Sequence, residues 1–243
     1  MSAETFPSGI HALDVALNGG FARPSNLLVM GDPWSSKKEL GMTMLSAGLH
    51  NNEAAIYISA TSTAEEIREQ WLTCGLTSAL EQEGKVKFVD CYSRMIGAKS
   101  SDTSSIKRVP SIIDYTKLAV AVNEWCSSFY LKNTAVRVLF DSLSTLLLYS
   151  SLQTVMRFLH IFLGQLRRQN VLGFLLVEEG AHDLLTLNQL KSFSNGAIVL
   201  EANTLRCEGF YGHPSISMNF SLPTTENVKQ PIQTQNISLG GSS

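Results

Sequence analysis

The chain predicts an α/β fold, a three-layer αβα sandwich with a mainly parallel central sheet and antiparallel C-terminal strands. Three observations carry this. Short apolar runs alternate with longer segments of helical period, which is the pattern of parallel strands joined by crossover helices. The last apolar runs follow one another without helical segments between them, as antiparallel neighbours do. A length of 243 residues with 44% hydrophobic content fits one large domain with ample material for a core.

The elements follow in order. Asn26 to Met30 is the first strand, and its helix runs from about Lys37 to His50. Ala54 to Ser59 is the second strand. Ser62 with Glu65 three residues later reads as a capping box for a helix through Ile67 and Trp71 that ends near Gly75. Val86 to Val89 is a third strand, and Asp90 to Pro110 a polar loop with Gly97 and several serines. Ile112 to Leu131 is helical. Val136 to Phe140 is a strand ending in Asp141, and Leu152 to Arg168 is another helix, with apolar residues on most sides that imply burial from more than one direction. Leu172 to Val177 is a further buried strand. Ala197 to Glu201, Leu205 to Phe210 and Ile216 to Leu222 are the later strands. Residues 1–222 thus form one domain, and the polar stretch from Pro223 to Ser243, ending Gly-Gly-Ser-Ser, is expected to be a disordered tail.

A formal net charge of −2 provides no global positive field toward nucleic acid or anionic lipid. The four cysteines, Cys74, Cys91, Cys126 and Cys207, lack C-x-x-C spacing, so no metal site and no disulfide framework is indicated. Neither a signal segment at Met1 to Phe6 nor a membrane span of about 18 apolar residues is present, and the expected location is cytoplasmic.

The segment Gly31-Asp32-Pro33-Trp34-Ser35-Ser36-Lys37-Lys38 lies between an apolar run and a helix-like stretch, where a phosphate-binding P-loop belongs. The pattern G-x-x-x-x-G-K-[ST] needs a second glycine so that backbone can wrap a phosphate, and a hydroxyl beside the lysine to hold Mg²⁺. Ser36 stands for that glycine and Lys38 for the hydroxyl. Residual nucleotide contacts fall to Gly31, Ser35, Ser36, Lys37, Lys38 and the strand-end Asp141. Lys37 can still meet terminal phosphate oxygens as a point charge, or it is a solvated lysine at a helix start. Lys38 placed where magnesium would sit can neutralise phosphate directly, so that ATP binds without Mg²⁺. Alternatively a Lys38–Asp141 ion pair fills an empty site, with the Trp34 indole plugging the loop.

The order of motifs resembles the KaiC-like branch of the RecA-like P-loop ATPases, a branch common in archaea. Pro7-Ser8-Gly9-Ile10-His11-Ala12-Leu13-Asp14 and Asn18-Gly19-Gly20-Phe21 resemble its opening segments. Phe140-Asp141-Ser142-Leu143-Ser144 is similar to its Walker B strand and following turn, and Asn195-Gly196-Ala197-Ile198-Val199-Leu200 to a late strand. The resemblance covers Phe6 to Leu222 and implies a RecA-like fold. It also implies that Asp141 would orient magnesium in an active member. Where the family places two glutamates after the second strand, this chain has Thr61 and Ser62, which are not bases at neutral pH. Where a late K-x-R-G segment supplies cations to a neighbouring subunit's nucleotide, Gly209 and Tyr211 replace both. Glycine, magnesium ligand, base and cationic finger are altered together, which argues for a degenerate, pseudo-ATPase member with no catalytic residue of the ordinary kind.

Two further sites come from the sequence. Glu178 and Glu179 follow a buried strand, with His182 and Asp183 close behind, at the edge where α/β ligands bind. An acidic edge site and a solvated turn are both compatible with this, and a slow ATPase stays open if either glutamate replaces the missing base. Arg94, Lys99, Lys107 and Arg108, opposed only by Asp102, form a candidate nucleic-acid loop, or a solvated surface. The leading expectation is a regulatory or scaffold subunit with weak or no nucleotide binding, in a homo-oligomer or beside an active paralogue. The alternatives are a metal-independent ATP sensor and a RecA-paralogue accessory protein on single-stranded DNA.

Overall fold

The structure, a computed structural model, describes residues 5–220 and 237–239. A short hairpin of β1 (Thr5–Phe6) and β2 (Phe21–Ala22) encloses α1 (His11–Ala16). The main sheet and its helices then follow as β3 (Ser25–Gly31), α2 (Lys37–His50), β4 (Ala54–Ser59), α3 (Ala64–Leu72), α4 (Ser78–Gln82), β5 (Val86–Asp90) and β6 (Ile106–Arg108). The chain continues through α5 (Tyr115–Tyr130), β7 (Val136–Asp141), α6 (Leu143–Tyr149), α7 (Leu152–Arg168), β8 (Leu172–Glu178) and α8 (Leu184–Ser192). It closes with β9 (Ala197–Glu201), β10 (Thr204–Glu208), β11 (Ile216–Asn219) and β12 (Ile237–Leu239). The sheet order is β12-β11-β10-β9-β3-β8-β7-β4-β5-β6. It is parallel from β9 to β6 and antiparallel from β9 through β12. The expected three-layer, mainly parallel architecture is the observed one, and β9 belongs to its parallel part.

Strand period explains the two cores. Successive residues of a strand point to opposite faces, so Leu28, Met30, Ile56, Ile58, Val138 and Phe140 join one cluster with Leu118, Phe162 and Leu187. Leu27, Val29, Ala55, Tyr57 and Leu139 join the other with Leu13, Leu45 and Trp71. Helices α5 to α8 therefore cover one face, and α1 to α3 the opposite one. Because both faces are covered, the central strands are apolar at almost every position.

Several boundaries differ from the sequence expectation for identifiable reasons. The capping box is Thr63 with Glu66, one residue later than expected, because Ser62 is held in a tight turn by Ser59 Oγ, which donates to its carbonyl at 2.6 Å. The supposed loop from Asp90 to Pro110 contains β6, which extends the sheet beside β5. The short helices α4, α6 and α8 had no sequence counterpart. Of the polar tail, Ile237–Leu239 pairs antiparallel with β11, whereas 223–236 and 240–243 lie outside the described residues.

Register brings the candidate residues to one edge. Gly31 pairs with Glu178 across β3 and β8, and Ser59 pairs with Asp141 across β4 and β7. The carboxyl ends of these four parallel strands converge, as ligand-binding edges of open α/β sheets do.

Candidate functional site

The chain leaves β3 at Gly31 with no room for a side chain. A Cβ there would lie 2.5 Å from Ser35 Oγ and 2.9 Å from the Leu200 carbonyl oxygen. The loop is closed by Ser35, whose backbone N–H and hydroxyl donate to the Asp32 carbonyl at 2.9 and 2.7 Å. Ser36 has φ −74° and ψ 33° at the start of α2, a conformation that does not call for glycine. Trp34 is 96% exposed and stands at the cavity mouth, so it does not plug the loop.

Both lysines turn inward and each meets a carboxylate. Lys37, only 3% exposed, donates from Nζ to Glu178 Oε2 at 2.6 Å and to the Asp32 carbonyl at 2.8 Å. Lys38 Nζ lies 3.3 Å from Asp141 Oδ2. The same oxygen accepts the Tyr57 hydroxyl at 2.6 Å. Burial, reinforced by the Asp141 charge, holds the Tyr57 pKa well above the ordinary tyrosine range, so this phenol stays a donor. The sheet explains the first pair: β8 adjoins β3, so the end of β8 delivers Glu178 to the lysine that begins α2.

A cavity of about 540 Å³ opens here, with Lys37, Lys38, Thr61, Asp141, Ser144 and His182 in its wall. Ser144 Oγ accepts the Glu178 backbone N–H at 2.8 Å and lies 2.7 Å from His182 Nε2. Burial pushes the His182 pKa down, against the opposing pull of Asp183 and Glu178, so the ring favours its neutral form. Ser144 and His182 were visible in the sequence only as members of the Asp141 turn and the acidic loop; what joins them is the adjacency of β7 and β8.

The structure thus gathers Gly31, Ser35, Ser36, Lys37, Lys38, Asp141 and Glu178 at one site. Glu179 opens a single 3-10 turn, Glu179–Ala181, and makes no ion pair among the described residues. Gly209 lies in the turn after β10, Tyr211 beyond it is fully exposed, and Arg206 is held within the chain by Glu201 and Glu208 at 2.8 and 2.5 Å.

The basic loop is not gathered in the same way. Arg108 is buried, bonded to Glu65 and to the Ser101 carbonyl, with Asp90 at 3.7 Å from Nε, so its charge is not available to a phosphate backbone. Lys107 pairs with Glu124 and lies 4.8 Å from the Trp125 ring centroid. Arg94 pairs with Asp102 at 3.2 Å, and Lys99 is exposed without an ion pair among the described residues.

Residues 24–198 match the model of a family of unknown function, DUF7504, and the chain belongs to that family. Among curated proteins it is similar to UPF0273 proteins of Methanopyrus kandleri, 24% identical over 56% of this chain and 54% of the relative, and of Pyrobaculum aerophilum, 28% identical over 61% and 51%. It is also similar to the DNA repair protein RadA of Brucella abortus, 35% identical over 44% of this chain and 22% of that protein. The chain spans about half the length of the first two relatives. Two Pyrococcus horikoshii structures share its fold at 15% identity. One is an uncharacterized protein in complex with an unknown peptide, TM-score 0.70, covering 89% of this chain and 96% of that one. The other is a KaiC-like protein, TM-score 0.65, covering 89% and 95%. The fold is RecA-like. Among the described residues no helix is long and apolar enough to cross a membrane.

Proposed function

We propose that this protein is a non-hydrolysing member of the RecA-like class that acts as a regulatory or scaffold subunit, with weak or no nucleotide binding, alone or beside an active paralogue. The observation that carries this is Lys38, whose ammonium stands 3.3 Å from Asp141. In an ATPase of this class a magnesium ion is oriented there through the aspartate and a neighbouring hydroxyl. A fixed cation on that carboxylate does not fit the metal. The second lysine is likewise engaged by Glu178, which leaves the pair of cations balanced by a pair of carboxylates and weakens their pull on phosphate. The cavity wall offers Thr61 at the position of the expected base, and a threonine cannot activate water at neutral pH. Selection on such a protein would act on surfaces and assembly.

The test is calorimetric titration of the full chain with ATP, in magnesium and then in EDTA, beside a phosphate-release assay. Weak or absent binding in both buffers and no phosphate release above the protein-free rate are expected. Magnesium-dependent binding with turnover would overturn the reading. Equal, tight binding in both would favour the second reading, a metal-independent ATP sensor in which Lys38 acts as a built-in counter-charge. The similarity to a DNA repair protein keeps a single-stranded DNA accessory role as a further alternative, but the engagement of Lys107 and Arg108 within the chain disfavours it.

A further inference from the structure

We propose that Ser144 and His182 form a nucleophilic dyad that transfers or hydrolyses small activated acyl groups in the same cavity, independently of nucleotide. The two side chains come from different elements, α6 and the segment after β8, and meet at 2.7 Å between Oγ and Nε2. That is the reach required of a nucleophile and its base. With the His182 proton on Nδ1, Nε2 accepts from the serine hydroxyl. One lone pair of Oγ accepts the Glu178 N–H at 2.8 Å, so the hydroxyl hydrogen is free to point at the neutral imidazole. The same N–H stabilises negative charge as it develops on Oγ.

The surroundings suit the chemistry. Ser144 and His182 both line the cavity of about 540 Å³, a size that holds a small organic substrate. Lys37 and Lys38 stand in the same wall, each already engaged by a carboxylate. Leu148, Leu176 and Ala181 supply apolar surface for an acyl chain.

The step balances without metal or redox partner. Ser144 Oγ attacks the acyl carbon of an ester or thioester while its proton passes to His182 Nε2. The alcohol or thiol leaves with that proton. Water then attacks the acyl-serine, giving its proton to His182, and the carboxylic acid departs as Ser144 is reprotonated.

The experiment uses the full-length protein and an alkyl fluorophosphonate, which Ser144 attacks at phosphorus with loss of fluoride. Intact-mass and peptide mass spectrometry should show one adduct, on Ser144. His182→Asn should slow its formation at least about 100-fold, and the wild-type rate should rise with pH through a midpoint below the ordinary histidine value before levelling. Ser144→Ala should give none. Labelling of the wild-type chain decides the first point whether or not a variant folds. No adduct at Ser144 on prolonged incubation, an adduct elsewhere only, or equal rates with and without His182 would each overturn the proposal. None of these outcomes depends on whether ATP binds.

Discussion

Lys38 holds Asp141 at 3.3 Å, and Tyr57 donates to the same carboxylate oxygen at 2.6 Å. The aspartate therefore has two partners inside the protein. If Lys38 is what displaces magnesium, then restoring the ordinary loop should restore metal dependence. The double variant Ser36→Gly/Lys38→Thr is expected to bind ATP at least tenfold more tightly in magnesium than in EDTA, a difference of about 1.4 kcal/mol. It should still release no phosphate, because Thr61 and Ser62 remain. Calorimetry of the variant in both buffers checks this, and an unchanged response to EDTA would count against the assignment.

His182 makes stability depend on pH. Burial lowers its pKa in the folded chain, so on acidification the unfolded chain takes up the proton first. The stability is fully present above the ordinary histidine value of about 6.5 and is lost as pH falls from there through the lowered folded value. Urea midpoints of the wild type should therefore drop between pH 7.5 and 5.5 by more than those of His182→Asn. A parallel drop in both proteins would show that His182 contributes nothing to the slope.

Arg108 and Lys107 are adjacent in sequence and differ in consequence. The Arg108 guanidinium lies beside Asp90, which is fully buried and also accepts the backbone N–H groups of Ala64, Tyr92 and Ser93 at 2.8 to 2.9 Å. Arg108→Ala leaves that buried charge without its nearest cation and is expected to cost on the order of 3 kcal/mol. Lys107 pairs at the surface with Glu124, whose side chain is largely exposed, so Lys107→Ala should cost under about 1 kcal/mol. Urea unfolding of both variants separates the two. Similar losses would mean that Arg108 is no more structural than its neighbour.

What could be read from sequence was whatever is local. The helix Leu152–Arg168 was legible to the residue, since its apolar stripe is long and Ser151 caps it through the Thr154 N–H. The helix start near residue 63 was ambiguous, because Ser62 and Thr63 each precede a glutamate by three positions and only the turn at Ser59 selects between them. Helices α6 and α8 are too short for periodicity to show, and β6 is three residues long. In the site, the Lys38–Asp141 pair was legible because two motifs name its members. Lys37–Glu178 was not, since it depends on β8 lying beside β3, and sheet order is a property of packing rather than of any one segment. The Ser144–His182 contact was hidden for the same reason.

The N-terminal arm is fixed by one buried cation. Arg137 on β7 meets Glu53 through two hydrogen bonds, Nε to Oε2 at 2.8 Å and Nη2 to Oε1 at 2.7 Å. Its Nη1 also donates to the carbonyls of Pro7 and Met44, each at 2.8 Å, which ties the segment before α1 to α2 and to the sheet. Arg137 is fully buried, so its four hydrogen bonds satisfy a charge that water cannot reach. Removing the cation alone strands the Glu53 carboxylate, and Arg137→Met is expected to lose about 3–5 kcal/mol of stability. Replacing both partners, Arg137→Met with Glu53→Gln, removes the stranded charge and should recover part of that loss. The four proteins of this cycle, unfolded in urea, give the coupling directly. If the double variant is no more stable than Arg137→Met, the destabilisation comes from the lost contacts to Pro7 and Met44, and the arm, not the ion pair, is what Arg137 maintains.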